Sequence, residues 1–337
     1  MGTVTIKMLA KQLNLSTAAI SKALKDSHEI SAATKQRVLD LANELNYTPN
    51  PYASSLRRRK SKTIAVVLPE VADSFFSLAI NGIEAIAEEK GYHVLIYLTH
   101  ESFLREQAIL KDFQSGRVDG VLMSITSETA TYQHIHALHS KDMPIVFFDR
   151  VCDEINTATI TTNDYESSYK ATQHLINAGC KKLCFLSISN SLSISNKRKE
   201  GFQKALLDNQ LVDLFSNDVI CSNDGDSNYQ LIKLMMQQKN RPDGIIASVE
   251  KITTDVYLAC KALKLKIPKD VKVVSFSNLS AATILNPPLT TITQPAFKIG
   301  KAAATALFKA LEKKNVVLKN ESQVIASELV VRESTKS

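Results

Sequence analysis

Apolar residues in the first 45 positions recur at helical spacing, whereas from position 63 onward they gather into short unbroken runs. Ile6, Leu9, Ala10 and Leu13 stand at i, i+3, i+4 and i+7, one stripe of an amphipathic helix, with Thr5 at the position of its cap. Asn14-Leu15 breaks the pattern. Ser16 then caps a second short helix with Ala19, Ile20, Ala23 and Leu24 inward, and Ser31 caps a third with Val38, Leu41, Ala42 and Leu45 inward. Three short helices with a turn of about three to four residues between the first two make the helix-turn-helix plan, whose second helix enters the DNA major groove. Its outward positions here are Thr17, Ala18, Ser21, Lys22 and Lys25, small or basic side chains suited to reach base edges. A three-helix bundle that binds protein shares the same apolar pattern.

The apolar runs beyond residue 62 read as strands at 63–68, 93–98, 120–123, 145–148, 182–187, 244–248 and 272–276. Amphipathic stretches fall between them, among them 76–89, 104–114, 167–178, 230–238 and 254–263, with a late helix at 295–311. Strand and helix alternating at this spacing imply βαβ units and doubly wound parallel sheets. The length suits two such lobes, with a ligand cleft where strand C-termini meet. The fold class expected is therefore α/β, an all-α helix-turn-helix headpiece followed by two doubly wound lobes.

Charge changes the picture of the headpiece. Residues 1–62 hold eleven of the 41 Lys and Arg but four of the 34 Asp and Glu, so the whole excess of +7 lies in the first fifth of the chain. Such asymmetry marks a polyanion-binding module joined to a domain with another task, and favours double-stranded DNA as the partner of the three helices. The next segment, Asn50-Pro51-Tyr52-Ala53-Ser54-Ser55-Leu56-Arg57, has a cap residue followed by Pro at the first helical position. So short a helix is unstable alone in water and folds only on docking. Leu56 is either a minor-groove wedge or a linker residue packing on the core.

Other chemistry is sparse. No run approaches the roughly 18 apolar residues a membrane span needs, and Met1-Gly2-Thr3-Val4-Thr5 has no apolar stretch of a secretory leader. The expectation is a cytoplasmic protein with no membrane partner. Cys152, Cys180, Cys184, Cys221 and Cys260 lie in apolar contexts without a CxxC pair, which reads as reduced, buried thiols and not as zinc ligands. His134, His136 and His139 share one helix, but no carboxylate or thiol stands at ligand spacing beside them, so a solvated face is expected. Without a Gly-rich phosphate loop, a GxSxG elbow or an HExxH pair, neither an enzyme nor a cofactor or metal is expected.

Val4-Thr5-Ile6-Lys7, the run from Leu15 to Leu24, Tyr47-Thr48-Pro49-Asn50 and Ala53-x-x-Leu56 resemble, in this order, the lactose/galactose repressor family. The resemblance continues through Asp73-Ser74-Phe75-Phe76, Pro144-Ile145-Val146-Phe147-Phe148-Asp149-Arg150 and Glu328-Leu329-Val330-Val331-Arg332, and covers nearly the whole chain. It implies a homodimer on a palindromic operator, controlled by a small polar effector. It places the headpiece at 3–57 with its hinge helix at about 50–57, a basic linker at 58–62, and the core at 63–337. The first lobe takes about 63–160 and 295–315, the second about 161–290 and 318–337. A solute receptor for transport, or an enzyme on the same fold, has no use for the headpiece.

Residue by residue, the resemblance assigns phosphate contacts to Thr5, Ser16, Ser21, Ser31, Thr34 and Asn50, and base reading to Thr17, Ala18 and Lys22. Leu56 matches the hinge leucine that opens the central base step, and Lys25, Ala53 and Arg57 complete the DNA-facing set. The effector cleft is assigned to Phe75, Phe76, Asp149, Arg198, Asn223 and Ser277. Rings there cover an apolar ligand face, while Asp149 and Arg198 offer charge-assisted hydrogen bonds. Arg198 has no evident partner in the sequence, and is either a ligand grip or a solvated member of Lys197-Arg198-Lys199. Departures stand beside these matches. Lys22 replaces a common arginine and lacks its bidentate fork. Three cleft positions that are usually acidic read as neutral, at Ser277, Ile252-Thr253 and Thr162-Asn163. That leaves a sugar held by other contacts, a larger or anionic glycan, or no ligand. No heptad leucine run follows Arg332, so a dimer is expected and not a tetramer.

Overall fold

The computed structural model describes residues 4–47, 61–211, 218–222, 224–313 and 315–336. The chain divides into two compact units between Ser61 and Lys62. In the first, α1 (Ile6–Leu13), α2 (Thr17–Ala23) and α3 (Ala32–Glu44) close around Leu9, Ala10, Ile20, Ala23, Val38 and Ala42. Asn14 takes a left-handed conformation (φ 54°) that ends α1 and lets α2 begin three residues later; asparagine adopts it more readily than most residues. The Ser16 hydroxyl accepts from the Ala19 N–H (3.1 Å) and Ser31 from the Thr34 N–H (3.3 Å), so both expected caps form. Thr5 occupies its cap position without a side-chain bond.

The second unit contains two six-stranded sheets. Its first lobe is built from β1 (Thr63–Leu68), α4 (Ser74–Glu89), β2 (His93–Leu98), α5 (Phe103–Phe113), β3 (Gly120–Met123), α6 (Gln133–His139), β4 (Ile145–Phe148) and β5 (Ala158–Thr162). The chain then crosses to α7 (Asp164–Asn177), β6 (Leu183–Ser187), α8 (Ser193–Asp208), β7 (Asp218–Ile220), α9 (Gly225–Gln237), β8 (Gly244–Ala247), α10 (Glu250–Ala262), β9 (Lys272–Phe276) and β10 (Thr290–Thr293). It returns through α11 (Ala296–Glu312) and β11 (Gln323–Ile325), and finishes in the second lobe with β12 (Glu328–Val330). Strand orders are β11-β5-β4-β3-β1-β2 and β12-β10-β9-β8-β6-β7, with β12 antiparallel to β10. β3, β4 and β8 are buried along their whole length, as parallel strands covered on both faces must be.

Two boundaries differ from expectation. β11 pairs with β5, so the first lobe continues to Ile325 instead of ending near 315, and β10 carries the second lobe to Thr293. In the first lobe α4 packs on α11 with backbones in contact. A Cβ at Gly82 would lie 2.2 Å from the Phe297 carbonyl oxygen, and one at Gly300 2.0 Å from that of Ala79. No other residue fits at either place. This contact seats α4, whose first turn carries Ser74, Phe75 and Phe76 to the mouth of the lobe.

Candidate nucleic-acid interface and ligand cleft

In the headpiece, Thr17, Ala18 and Lys22 are exposed on α2 and Ser21 is half-buried, while Lys25, expected on the same helix, is exposed just past its end at Ala23. Thr5, Ser16 and Ser31 are exposed as well, and Thr34, whose hydroxyl shares a hydrogen bond with Ser31 (2.9 Å), is half-buried. Lys22 pairs with Glu29 at the surface. A pair this exposed contributes little, so Lys22 can exchange Glu29 for DNA at small cost. Asn50, Ala53, Leu56 and Arg57 lie outside the described residues.

In the core, Phe75, Phe76, Asp149, Arg198 and Ser277 line one cavity between the lobes; Asn223 lies outside the described residues. The same cavity is lined by Asp73, Arg150, Glu250, Phe276, Asn278 and Gln294, which the sequence pattern did not single out as ligand contacts. Its free volume is about 20 Å³. That is room for about one water molecule.

Arg198 is not solvated, and it has a partner. It is 2% exposed; its Nε donates to Asp164 Oδ1 (2.7 Å), its Nη1 to the Ser248 carbonyl (2.5 Å), and its guanidinium lies 4.1 Å from the Phe276 ring centre. Nη2 is buried without a hydrogen bond. Asp149 sits in the left-handed region (φ 60°) with its N–H bonded to the Ile160 carbonyl. Burial pushes its carboxyl up to about 6 against the opposing pull of Arg198 and Arg150. Arg150 Nη1 is held by both oxygens of Glu101 (2.8 and 3.0 Å), while its Nε is buried and unbonded. Burial alone raises the Glu101 carboxyl, but Arg150 and the Ser127 N–H bring it below its ordinary value.

The reading that three acids are missing is corrected in two places. α10 opens at Glu250, not near 252, and the Glu250 Oε2 accepts from the Ser277 hydroxyl (2.7 Å) and the Asn278 N–H (3.0 Å). α7 opens at Asp164, the residue after Asn163, and it is this carboxylate that holds Arg198. A shift of one or two residues in where a helix begins was enough to hide both.

Asp73 caps α4, its Oδ1 accepting from the Phe75 N–H (2.8 Å). Burial raises its carboxyl to about 7, helped by the charges of Glu250, Asp149 and Glu70. The native state thus keeps this proton after the unfolded chain, at its ordinary 3.8, has lost it. Stability is therefore lost as pH rises from about 4 to about 7 and is level above that. The melting midpoint of the wild type should fall more between pH 5 and pH 8 than that of Asp73→Asn, which retains a capping oxygen. Parallel pH curves for the two proteins would refute this account of Asp73.

All five cysteines are buried, and burial pushes the Cys180 and Cys221 thiols up to about 12 and that of Cys260 to about 11. They are inert at neutral pH. His134 departs from the expected solvated face: its ring is buried and bonds Glu106 through Nε2 (2.8 Å). Among the described residues no group of His, Cys, Asp or Glu is arranged to hold a metal, and no helix is long and apolar enough to cross a membrane.

Two family descriptions match the chain. Residues 5–50 match "Bacterial regulatory proteins, lacI family", and residues 61–328 match "Periplasmic binding proteins and sugar binding domain of LacI family". The HTH-type transcriptional regulator RegA of Clostridium saccharobutylicum is 28% identical over 338 residues, covering 98% of this chain and 99% of that protein. The ribose operon repressor of Halalkalibacterium halodurans is 28% identical over 334 residues, covering 98% and 97%. Among solved structures, the lac repressor dimer bound to operator and an anti-inducer superposes with a TM-score of 0.83 at 21% identity, over 100% of both chains. A ribose-bound regulator from Enterococcus faecium gives 0.71 at 22% identity, over 81% of this chain and 98% of that one. These two likenesses are of fold.

Proposed function

The chain belongs to the lacI family of bacterial regulatory proteins, and from that premise we propose that it is an operator-binding repressor whose DNA affinity is set by an uncharged, hydroxyl-rich ligand in the cleft between its lobes. The base readers are Thr17, Ala18 and Lys22, with Thr5, Ser16, Ser21, Ser31 and Thr34 on the phosphates. Two copies bind a palindromic site in the cytoplasm. The ligand is sensed and not turned over.

One observation carries the ligand class. Buried donors that lack a hydrogen bond (Arg198 Nη2 and Arg150 Nε) share the cavity with the Asp149 and Asp73 carboxyls. A hydroxyl accepts from one and donates to the other at once, and the Phe75, Phe76 and Phe276 rings cover the apolar face of a sugar. Glu101 and Asp164 already balance Arg150 and Arg198, and the carboxylates of Glu250 and Asp149 remain beside them, so an anionic ligand is repelled. The names of the ribose repressor and the ribose-bound regulator support a small sugar.

Thermal-shift measurements on the intact protein with pentoses and hexoses, each beside its phosphate and uronic acid, test the reading. A neutral sugar should raise the melting midpoint more than its anionic counterparts do, because it binds the folded state. Stabilisation by the anionic members alone would overturn it.

A further inference from the structure

Glu250 opens a helix of the second lobe, yet half of its bonds are made to the first. Its Oε1 accepts both the backbone N–H (3.1 Å) and the hydroxyl (2.7 Å) of Ser74, the first residue of α4. Its Oε2 accepts the two bonds from Ser277 and Asn278 in its own lobe. A carboxylate has about four lone-pair directions, and here each is taken by a protein donor. The charge also lies at the positive end of a 16-residue helix. Lys251 reaches the same way, with Nζ 3.5 Å from Oε1 of Glu70 in the segment between β1 and α4. Elsewhere a neutral bond from the Ser191 hydroxyl to the Ser127 carbonyl (3.2 Å) spans the lobes.

We propose that Glu250 and Lys251 form a latch that holds the lobes closed through Ser74 and Glu70, and that any ring-sized ligand enters only when Glu250 parts from Ser74. The cavity of about 20 Å³ enforces the second half of this statement, since it has room for about one water and none for a sugar ring. The latch then lowers the apparent affinity for effector by the fraction of time it is open. Residues that need not touch the effector thereby set the concentration at which it acts. The latch goes beyond the proposed ligand class and holds for any occupant of the cleft.

The test reads interlobe distance directly and needs no ligand. Spin labels are placed on the full-length protein at Lys111→Cys on α5 and Gln237→Cys on α9, both exposed, while the native thiols are buried. Labelled protomers are diluted with unlabelled ones so that distances are measured within one chain. The wild type should give one dominant distance. Glu250→Ala should add a longer population, with an open-to-closed ratio raised on the order of tenfold, as expected when hydrogen bonds to a charge are lost. Ser74→Ala, which removes one hydroxyl and leaves the helix intact, should raise it less but in the same direction. If Glu250→Ala does not fold, Ser74→Ala decides alone. A distribution unchanged by either variant, or a wild type already dominated by the long distance, overturns the latch.

Discussion

A fragment beginning at Ser61 will fold and lose operator binding altogether, while the affinity of the full chain will fall steeply as salt is raised. Each half of this expectation has its own physical source. The core unit owns separate apolar clusters, and the headpiece closes around a small cluster of its own, so neither needs the other for burial. The excess basic charge is confined to residues 1–62, so removing them removes the counterion release that drives binding to a duplex. Fluorescence anisotropy with a labelled duplex across a salt series measures both. A fragment that held DNA as tightly as the full chain would show the polyanion site to lie elsewhere.

The parts of the fold that were legible are those with a strong local signal. Strands 63–68, 93–98, 120–123, 145–148 and 272–276 are predominantly apolar and match the structure at both ends. β5 and β10 read Ala-Thr-Ile-Thr-Thr and Thr-Thr-Ile-Thr, with too little apolar character to stand out, and β7, β11 and β12 are three-residue strands at sheet margins. Their strandedness comes from neighbours distant in sequence. The cleft divides the same way. Phe75, Phe76 and Asp149 lie in motifs that can be recognised, and the structure brings them together. Glu250 and Asp164 were hidden because their roles depend on where α10 and α7 begin, the feature that periodicity locates least well. The Arg198–Asp164 pair joins residues 34 positions apart, which no local pattern reports.

Arg198→Ala will be severely destabilising, by roughly 3–5 kcal/mol, because it leaves Asp164 buried without its counter-charge. It also uncovers one face of Phe276. Arg198→Met combined with Asp164→Asn should recover much of the loss, since it removes both charges and nearly preserves volume. Urea unfolding measures the two proteins side by side, and a midpoint for Arg198→Ala close to that of the wild type would contradict the pairing. This expected cost makes Arg198 a poor probe of signalling, because loss of response and loss of fold would coincide.

Asp149→Asn separates them. The substitution keeps size, and asparagine tolerates the left-handed backbone at this position. The deciding measurement is the affinity of full-length wild type and Asp149→Asn for a duplex selected from random DNA by the wild type. Each is titrated with and without the neutral sugar that raises the melting midpoint. A repressor governed from this cleft shifts its operator affinity with sugar, by roughly 5- to 150-fold, while Asp149→Asn binds the same duplex as well as the wild type without sugar and does not shift. An equal shift in both proteins, or none in the wild type, would contradict control of DNA binding from the cleft.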